Sequence, residues 1–197
     1  NRKGISTYST MIGKKVAVVG AGNVMMDIAH YLVRDRKVEE VVAVVRRGPA
    51  DVKFTKKEME AVGRNLDLDA LDAEFERVAP IMETVGQDAT AAKTMFLDAL
   101  PKAIEPVSTT RLRFEFLASP VRVLGDWING VNALKVEENI LVESDGSVKA
   151  RGVGTSRQIE ADTIIFAIGD TVDKDFCIPT FNNSYVADPE PCCPVDG

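Results

Sequence analysis

The stretch from Lys15 to Asp27, KVAVVGAGNVMMD, constrains the fold of this chain more than any other segment. A short apolar run leads into a glycine turn, and apolar residues then recur at the period of a helix. Gly20 permits a tight turn out of the strand, and Gly22, which has no Cβ, lets a ligand approach the backbone. We therefore predict a strand over Lys15–Gly20 and a helix over about 23–36, as in a βαβ unit. The apolar residues that we expect this helix to turn inward are Val24, Ile28, Tyr31 and Leu32.

The same turn has the spacing of a dinucleotide-binding fingerprint. A helix that begins near Asn23 presents unpaired N–H groups and its positive dipole end, which suit a pyrophosphate. The residues predicted to contact the cofactor here are Gly20, Ala21, Gly22, Asn23 and Val24. Met25 stands where the fingerprint usually has Gly or Ala, so we expect the helix to sit slightly away from the strand. A second Gly-x-Gly at 152–154 has neither a preceding apolar strand nor a following helix, and we reject it.

An arginine pair follows the next strand and indicates which dinucleotide binds. The valine-rich run from Glu40 to Val45 predicts a strand buried on both faces, as in a parallel sheet. At its carboxyl end, where the adenosine ribose is recognised, stand Arg46 and Arg47, which would attract a 2′-phosphate. The pair therefore favours NADP(H) over NAD(H), and the alternative is a solvated pair that only ends a strand.

Thr55 and Glu58 form a predicted capping box at the start of a further helix. Because this helix follows the arginine pair, Glu58 and the lysines at 56 and 57 could also line the 2′-phosphate pocket. For the lysines, a solvated helix face is an equal alternative.

The remaining chain predicts an α/β fold with a Rossmann-like parallel sheet flanked by helices and a small antiparallel β-meander. We expect a polar flank over 1–13, a nucleotide-binding domain over 14–170 and an irregular tail over 171–197. Within the domain we predict a helical insertion at about 65–106, with helices near 70–78 and 89–99, and the meander at about 111–158. The meander begins with a strand over Arg111–Ala118. A second buried strand, 160–170, ends at Gly169, which we expect near the cofactor.

Composition excludes several classes of function. The 197 residues carry a net charge of −6 without a basic cluster, which argues against nucleic acid and anionic membranes as partners. No apolar run is long enough to span a bilayer. Three cysteines indicate a reducing, cytoplasmic compartment, and their spacing predicts no metal site.

The motifs together resemble a known family. The combination VGAGNV at 19–24, VRRGP at 45–49 and FTKKE at 54–58, with DPEPCCPVDG at 188–197, is similar to the NADPH-binding domain of adrenodoxin-reductase-type ferredoxin–NADP reductases. Glutamate synthase small subunits share much of this pattern. The resemblance implies that Arg46, Arg47 and Glu58 surround the 2′-phosphate and that Gly22, Asn23 and Val24 meet the pyrophosphate.

That resemblance also implies a flavoprotein in which the NADPH domain is inserted into an FAD-binding domain. Only one fingerprint is present here, so we expect a domain that presents NADPH to a flavin bound by a part of the polypeptide outside this chain. Electrons would pass on to ferredoxin or a partner subunit, and we expect no catalytic side chains in this segment. The alternatives are a self-contained NADP-dependent dehydrogenase and a non-catalytic NADP(H)-sensing module.

Overall fold

A computed structural model describes residues 11–128 and 130–169, together with the backbone of 180–181 and 184–185. The chain divides into two compact units, Asn1–Ala167 and Ile168–Gly197. The first unit contains β1 (Lys15–Val19), α1 (Asn23–Tyr31), β2 (Glu40–Val44), α2 (Lys56–Glu60), α3 (Leu68–Glu83), α4 (Ala89–Leu97), β3 (Arg111–Glu115), β4 (Ala118–Asp126), β5 (Gly130–Ser144), β6 (Ser147–Glu160) and β7 (Thr163–Phe166). In the second unit, β8 (Thr180–Phe181) and β9 (Ser184–Tyr185) pair in antiparallel fashion.

A four-stranded parallel sheet forms the middle layer of the first unit. Its strand order is β3-β2-β1-β7, and the central pairing sets Val19 opposite Val44. Successive side chains of a strand point to opposite faces, so Val16 and Val18 pack on one side of β1 while Ala17 and Val19 pack on the other. Both faces of β1 and β2 are therefore buried.

Helices α1 to α4 cover the first face of this sheet. Their apolar side chains share one core cluster with Val16, Val18 and Val41. Five phenylalanines lie at its centre, and the Phe96 ring is within 6.0 Å, centre to centre, of the other four. They are Phe54, Phe75, Phe96, Phe114 and Phe116. Because two of these rings come from α3 and α4, the region predicted as a helical insertion supplies part of the core.

The buried face of α1 and of the π-helical turn that continues it, Leu32–Arg36, agrees with the prediction only in part: Leu32 is buried and Ile28 half-buried against the core. Val24 is 60% exposed and Tyr31 45% exposed, whereas the residues that pack on the sheet are Met25, Met26, Ala29, Leu32 and Val33. Asn23 and Asp27, four residues apart, are exposed and mark the solvent side of the helix, and Val24 and Tyr31 are exposed next to them. Met25 is fully buried against the sheet. That it holds the helix away from the strand stays a prediction.

An antiparallel meander, β4-β5-β6, covers the second face of the sheet. Its residues Ala118, Leu134, Val136, Ile159 and Ala161 pack against the alternate side chains of β1 and β2. The first unit thus has three layers, and the predicted fold class is confirmed: a parallel sheet with helices, plus a small antiparallel meander.

The predicted boundaries of the meander are wrong at its start. Arg111–Glu115 is β3, which pairs in parallel with β2, and the antiparallel sheet begins only at Ala118. Leu117, with φ of 52°, lies between the two sheets, in the left-handed conformation. The Gly-x-Gly at 152–154 lies inside β6, in agreement with its rejection as a fingerprint.

Among the residues that the structure describes, no helix combines the length and the apolarity needed to cross a membrane. The limits of the predicted domain, and those of the flank and tail, stay predictions.

Candidate functional site

The glycine turn after β1 has the geometry that a close backbone approach requires. Gly20 adopts φ of 150°, and its N–H donates to the carbonyl of Val44 at 3.0 Å. A Cβ at this position would lie 2.4 Å from the Ala167 carbonyl oxygen, so only glycine fits there. A Cβ on Gly22, in contrast, would meet nothing within 4 Å. The packing of described residues would therefore accept a larger side chain at position 22, and the space beside Gly22 is open.

The N-terminus of α1 opens onto the same turn. Gly22 is its N-cap residue, and no side chain among the described residues caps the first turn. That turn contains no acidic residue, and Asn23 and Val24 are exposed. Free N–H groups and a positive dipole end, without a competing carboxylate, favour an anion at this position.

The arginine pair lies close to this turn along the backbone. Because Val44 is bonded to Gly20, Arg46 and Arg47 begin two and three residues from the turn, within roughly 10 Å by chain length. The loop between β2 and α2 contacts the glycine turn as well, since the Lys53 N–H donates to the Ala21 carbonyl at 2.8 Å. The carboxyl ends of β1 and β2 therefore bring the glycine turn and the arginine pair to one edge of the sheet.

Both guanidinium groups are uncommitted in the part of the chain that the structure describes. Arg46 is exposed and Arg47 half-buried, and neither guanidinium makes a hydrogen bond or ion pair with a described residue. Arg113 and Arg157, in contrast, are engaged in ion pairs, Arg113 with Glu40 and Glu115 and Arg157 with Glu115. The pair is free to bind an anion.

Hydrogen bonds hold the backbone carbonyls of Arg46 and Arg47, in contrast to their unpaired guanidinium groups. The N–H of Leu117 donates to the Arg47 carbonyl at 3.2 Å, and the Asn139 side-chain amide donates to the Arg46 carbonyl at 2.8 Å. Sequence reasoning missed both donors. The positive φ of Leu117 has no local signal, and an asparagine inside a strand run gives no indication of its target.

Glu58 serves the capping box at the start of α2. Its carboxylate accepts from the Thr55 N–H at 2.8 Å and from the Thr55 hydroxyl. The hydrogen bond from the Thr55 hydroxyl, with those from backbone N–H groups, lowers the pKa of the Glu58 carboxyl. The predicted capping box is confirmed, while a place for Glu58 beside a 2′-phosphate stays a prediction. Lys56 and Lys57 are exposed.

Gly169 belongs to the second unit and has φ of 79°, a left-handed conformation that favours glycine. Its role at the cofactor stays a prediction. Cys177, Cys192 and Cys193 lie outside the described residues. Within the described ones, no group of three His, Cys, Asp or Glu side chains is arranged to hold a metal ion.

These observations meet the requirements of a phosphorylated dinucleotide. The open space beside Gly22 and the uncapped α1 suit a pyrophosphate, and the free arginine pair suits a further phosphate. Among the described residues, the turn between β1 and α1 is the strand–glycine–helix turn that offers such a site.

Comparison with known proteins agrees with this geometry. No model of a protein family matches the sequence. The chain is 27% identical over 179 residues to NADPH-ferredoxin reductase FprA of Mycobacterium leprae, covering 80% of this chain and 39% of that protein. It is 25% identical over 212 residues to the probable mitochondrial NADPH:adrenodoxin oxidoreductase of Dictyostelium discoideum, covering 89% of this chain and 41% of that protein.

Among solved structures, Mycobacterium tuberculosis FprA in complex with NADPH matches with a TM-score of 0.60 and 24% identity, over 90% of this chain and 45% of that one. This likeness shows a shared fold. The resemblance predicted from the motifs, to adrenodoxin-reductase-type enzymes, is confirmed, and its extension to glutamate synthase stays a prediction. The chain spans about two fifths of the length of the Mycobacterium leprae and Dictyostelium relatives.

Proposed function

We propose that this chain is the NADPH-binding domain of an FAD-dependent oxidoreductase. The observation that carries the proposal is the position of Arg46 and Arg47. Their guanidinium groups have no partner among the described residues, and their backbone lies beside the glycine turn and the uncapped N-terminus of α1. An NAD site would place an acidic side chain at that end of β2 to accept from the ribose 2′-hydroxyl.

In this proposal each part of the site binds one part of NADPH. The open turn at Gly20, Ala21 and Gly22 and the first N–H groups of α1 bind the pyrophosphate. Arg46 and Arg47 bind the 2′-phosphate through charge-assisted hydrogen bonds, which are shorter and stronger than neutral ones. Glu58, as the resemblance implies, completes the pocket.

When bound, NADPH supplies a hydride that a flavin can accept. The residues of this chain bind and orient the donor, and we assign none of them a proton-transfer role. The flavin would be held outside these 197 residues. The names of the relatives as NADPH-ferredoxin and adrenodoxin reductases support this assignment, as does the chain's coverage of less than half of each.

The electron acceptor belongs to the proposal as well. Relatives named for ferredoxin and adrenodoxin favour a small iron–sulfur protein, and a partner subunit is the other acceptor class that the motifs imply. We also propose a cytoplasmic location. Since the Dictyostelium relative is named as mitochondrial, fractionation of the source cells is the direct test.

Calorimetric titration of the chain with NADP⁺ and NAD⁺ tests the cofactor assignment. We expect NADP⁺ to bind at least about tenfold more tightly, because only NADP⁺ carries the phosphate that the arginines recognise. Arg46→Ala and Arg47→Ala should each remove most of this preference. Arg64→Ala is the matched control, since Arg64 is also exposed but follows α2 and lies outside the site. Equal affinities of the wild type for the two nucleotides would contradict the assignment.

The absorbance spectrum of the purified chain tests the single-site interpretation. We expect a colourless protein, because the described residues offer one dinucleotide site and the arginine pair reserves it for NADP(H). A flavin band near about 450 nm, on the order of one FAD per chain, would show that this chain holds the flavin itself.

A further inference from the structure

One polar side chain of the meander, that of Asn139 in β5, is buried beside an irregularity in the pairing of β5 with β6. The β5–β6 register sets Glu137 opposite Ser156 but Asn139 opposite Gly152, so the pairing shifts between Glu137 and Asn139. Before the shift Leu134 and Val136 are buried, and after it Asn139 and Leu141 are buried. Between these two register pairs β5 advances by two residues and β6 by four, so the extra residues lie in β6 and Asn139 is the buried polar residue of β5 beside them.

Asn139 uses its buried amide to hold the backbone of the arginine pair. The residue is 4% exposed, and its Nδ2 donates to the Arg46 carbonyl at 2.8 Å and contacts the Ser119 hydroxyl at 2.9 Å. Its own backbone N–H donates to the Leu117 carbonyl at 2.8 Å. Leu117 in turn donates to the Arg47 carbonyl. The Asn139 side chain therefore holds the Arg46 carbonyl directly, while its backbone N–H supports Leu117, whose own backbone N–H holds the Arg47 carbonyl.

The next residue of the loop is also covered by β5. A Cβ on Gly48 would lie 3.4 Å from the Leu141 Cδ1 atom, so β5 passes directly over the backbone that follows the pair. Strand β5 therefore contacts the arginine loop twice, through Asn139 and through Leu141. The loop cannot shift without separating from the meander.

We infer that Asn139 is a positioning residue that sets the preference of this site for NADP(H). The inference rests on the proposed function. Binding a phosphate requires two long side chains to become ordered, and a fixed backbone reduces the entropy lost in that step. NAD⁺ makes no contact with a 2′-phosphate site, so Asn139 contributes to the affinity for NADP⁺ alone.

The test measures the dissociation constants of Asn139→Ala for NADP⁺ and NAD⁺ by calorimetry. We expect the NADP⁺ constant to rise about threefold to tenfold and the NAD⁺ constant to change less than twofold. A general loss of structure would weaken both nucleotides, so the ratio of the two constants separates positioning from stability. In an Arg46→Ala background, the same substitution should change NADP⁺ binding less than twofold, because residues that act as a unit are not additive.

Asn65→Ala is the matched control. Asn65 is buried and its Nδ2 donates to two backbone carbonyls, those of Ser108 and Thr110, at the amino end of β3 and away from the arginine pair. We expect it to lower thermal stability and to leave the nucleotide ratio unchanged. If Asn139→Ala does not fold, Ser119→Ala removes the hydroxyl that contacts the amide, and it should lower the ratio by about twofold to fivefold.

The outcomes distinguish the two claims. If Arg46→Ala reduces the preference for NADP⁺ over NAD⁺ and Asn139→Ala leaves it intact, the positioning role is wrong and the proposed function still holds. A wild type without preference contradicts the proposed function, and the role of Asn139 with it. A preference that Asn139→Ala and Asn65→Ala reduce equally also overturns the inference, because the effect then reflects general destabilisation.

Discussion

Replacing the buried Glu74 with alanine should destabilise the chain more than replacing any exposed carboxylate of α3. Glu74 is 8% exposed, and its carboxylate accepts from the Phe116 N–H at 2.6 Å and from two guanidinium nitrogens of Arg77 at 2.6 and 2.9 Å. Arg77 also donates to the Phe116 carbonyl at 2.8 Å. The two side chains thus hold both backbone polar groups of Phe116, which leads from β3 to Leu117.

The magnitude follows from the groups that lose their partners. A buried N–H without an acceptor costs about 1–3 kcal/mol. Arg77 is about a third exposed and can turn to water, so its lost ion pair adds only about 0–1 kcal/mol. We expect Glu74→Ala to lower the free energy of unfolding by about 3 kcal/mol. For a chain of this length that corresponds to a melting temperature lower by about 6–12 °C. Arg77→Ala should cost a similar amount, because it leaves a buried carboxylate with one donor.

Urea unfolding followed by circular dichroism measures the effect, with the midpoint and slope fitted for each variant. Glu76→Ala is the matched control on the exposed side of the same helix, where a change within about 0.5 kcal/mol is expected. Glu74→Gln keeps one oxygen for the Phe116 N–H and should fall between the two. A loss below about 1 kcal/mol for Glu74→Ala would refute the reasoning, since it would mean that water replaces the carboxylate at Phe116.

Three further predictions concern single positions. Gly20→Ala should prevent stable folding, because its Cβ would lie 2.4 Å from the Ala167 carbonyl oxygen. Gly22→Ala should unfold at the wild-type temperature but bind NADP⁺ more weakly. Thermal melts and calorimetric titration measure the two effects, and equal melting temperatures for the two variants would contradict this prediction. The Ala70 N–H in the first turn of α3 lowers the pKa of Asp67, so the stabilisation by this N-cap is fully present above the unfolded pKa of about 4 and is lost as the pH falls through the lower folded value. Asp67→Ala should lower the free energy of unfolding by about 1 kcal/mol at pH 7 and by progressively less below about pH 4. A difference that stays constant with pH would exclude this cause. Phe96→Ala should cost about 3–5 kcal/mol by urea unfolding, because it removes the ring that contacts four others, and a loss under about 2 kcal/mol would mean that the core refills the space.

Local sequence rules predicted the elements on which the site is built. The strand–glycine–helix start, the valine strand and the capping box each depend on residues close in sequence, and each is present. The helices at 68–83 and 89–97 were predicted near 70–78 and 89–99. The first of them continues through Pro80, where Val78 and Met82 are buried on either side of the proline.

Features that depend on distant residues could not be predicted. Alternation at Arg111–Glu115 indicates a strand but does not say which sheet it joins, and only pairing with β2 decides that. The strand that ends near Gly169 was predicted to be fully buried, yet β7 pairs only with β1 among the described residues, and Phe166 is half exposed. The burial of Asn139 leaves no signal in the local pattern, since the pairing irregularity beside it depends on residues of β6.

The pairing of β1 with β7 has a consequence for synthesis of the chain. These neighbours, Val19 and Phe166, are separated by about 150 residues, so one edge of β1 has no partner until nearly the whole first unit has been translated. At ordinary elongation rates that interval is about 7–30 s. During it a valine-rich strand edge is open to other nascent chains, which makes ribosome-bound chaperones the factor on which we expect the yield of this protein to depend.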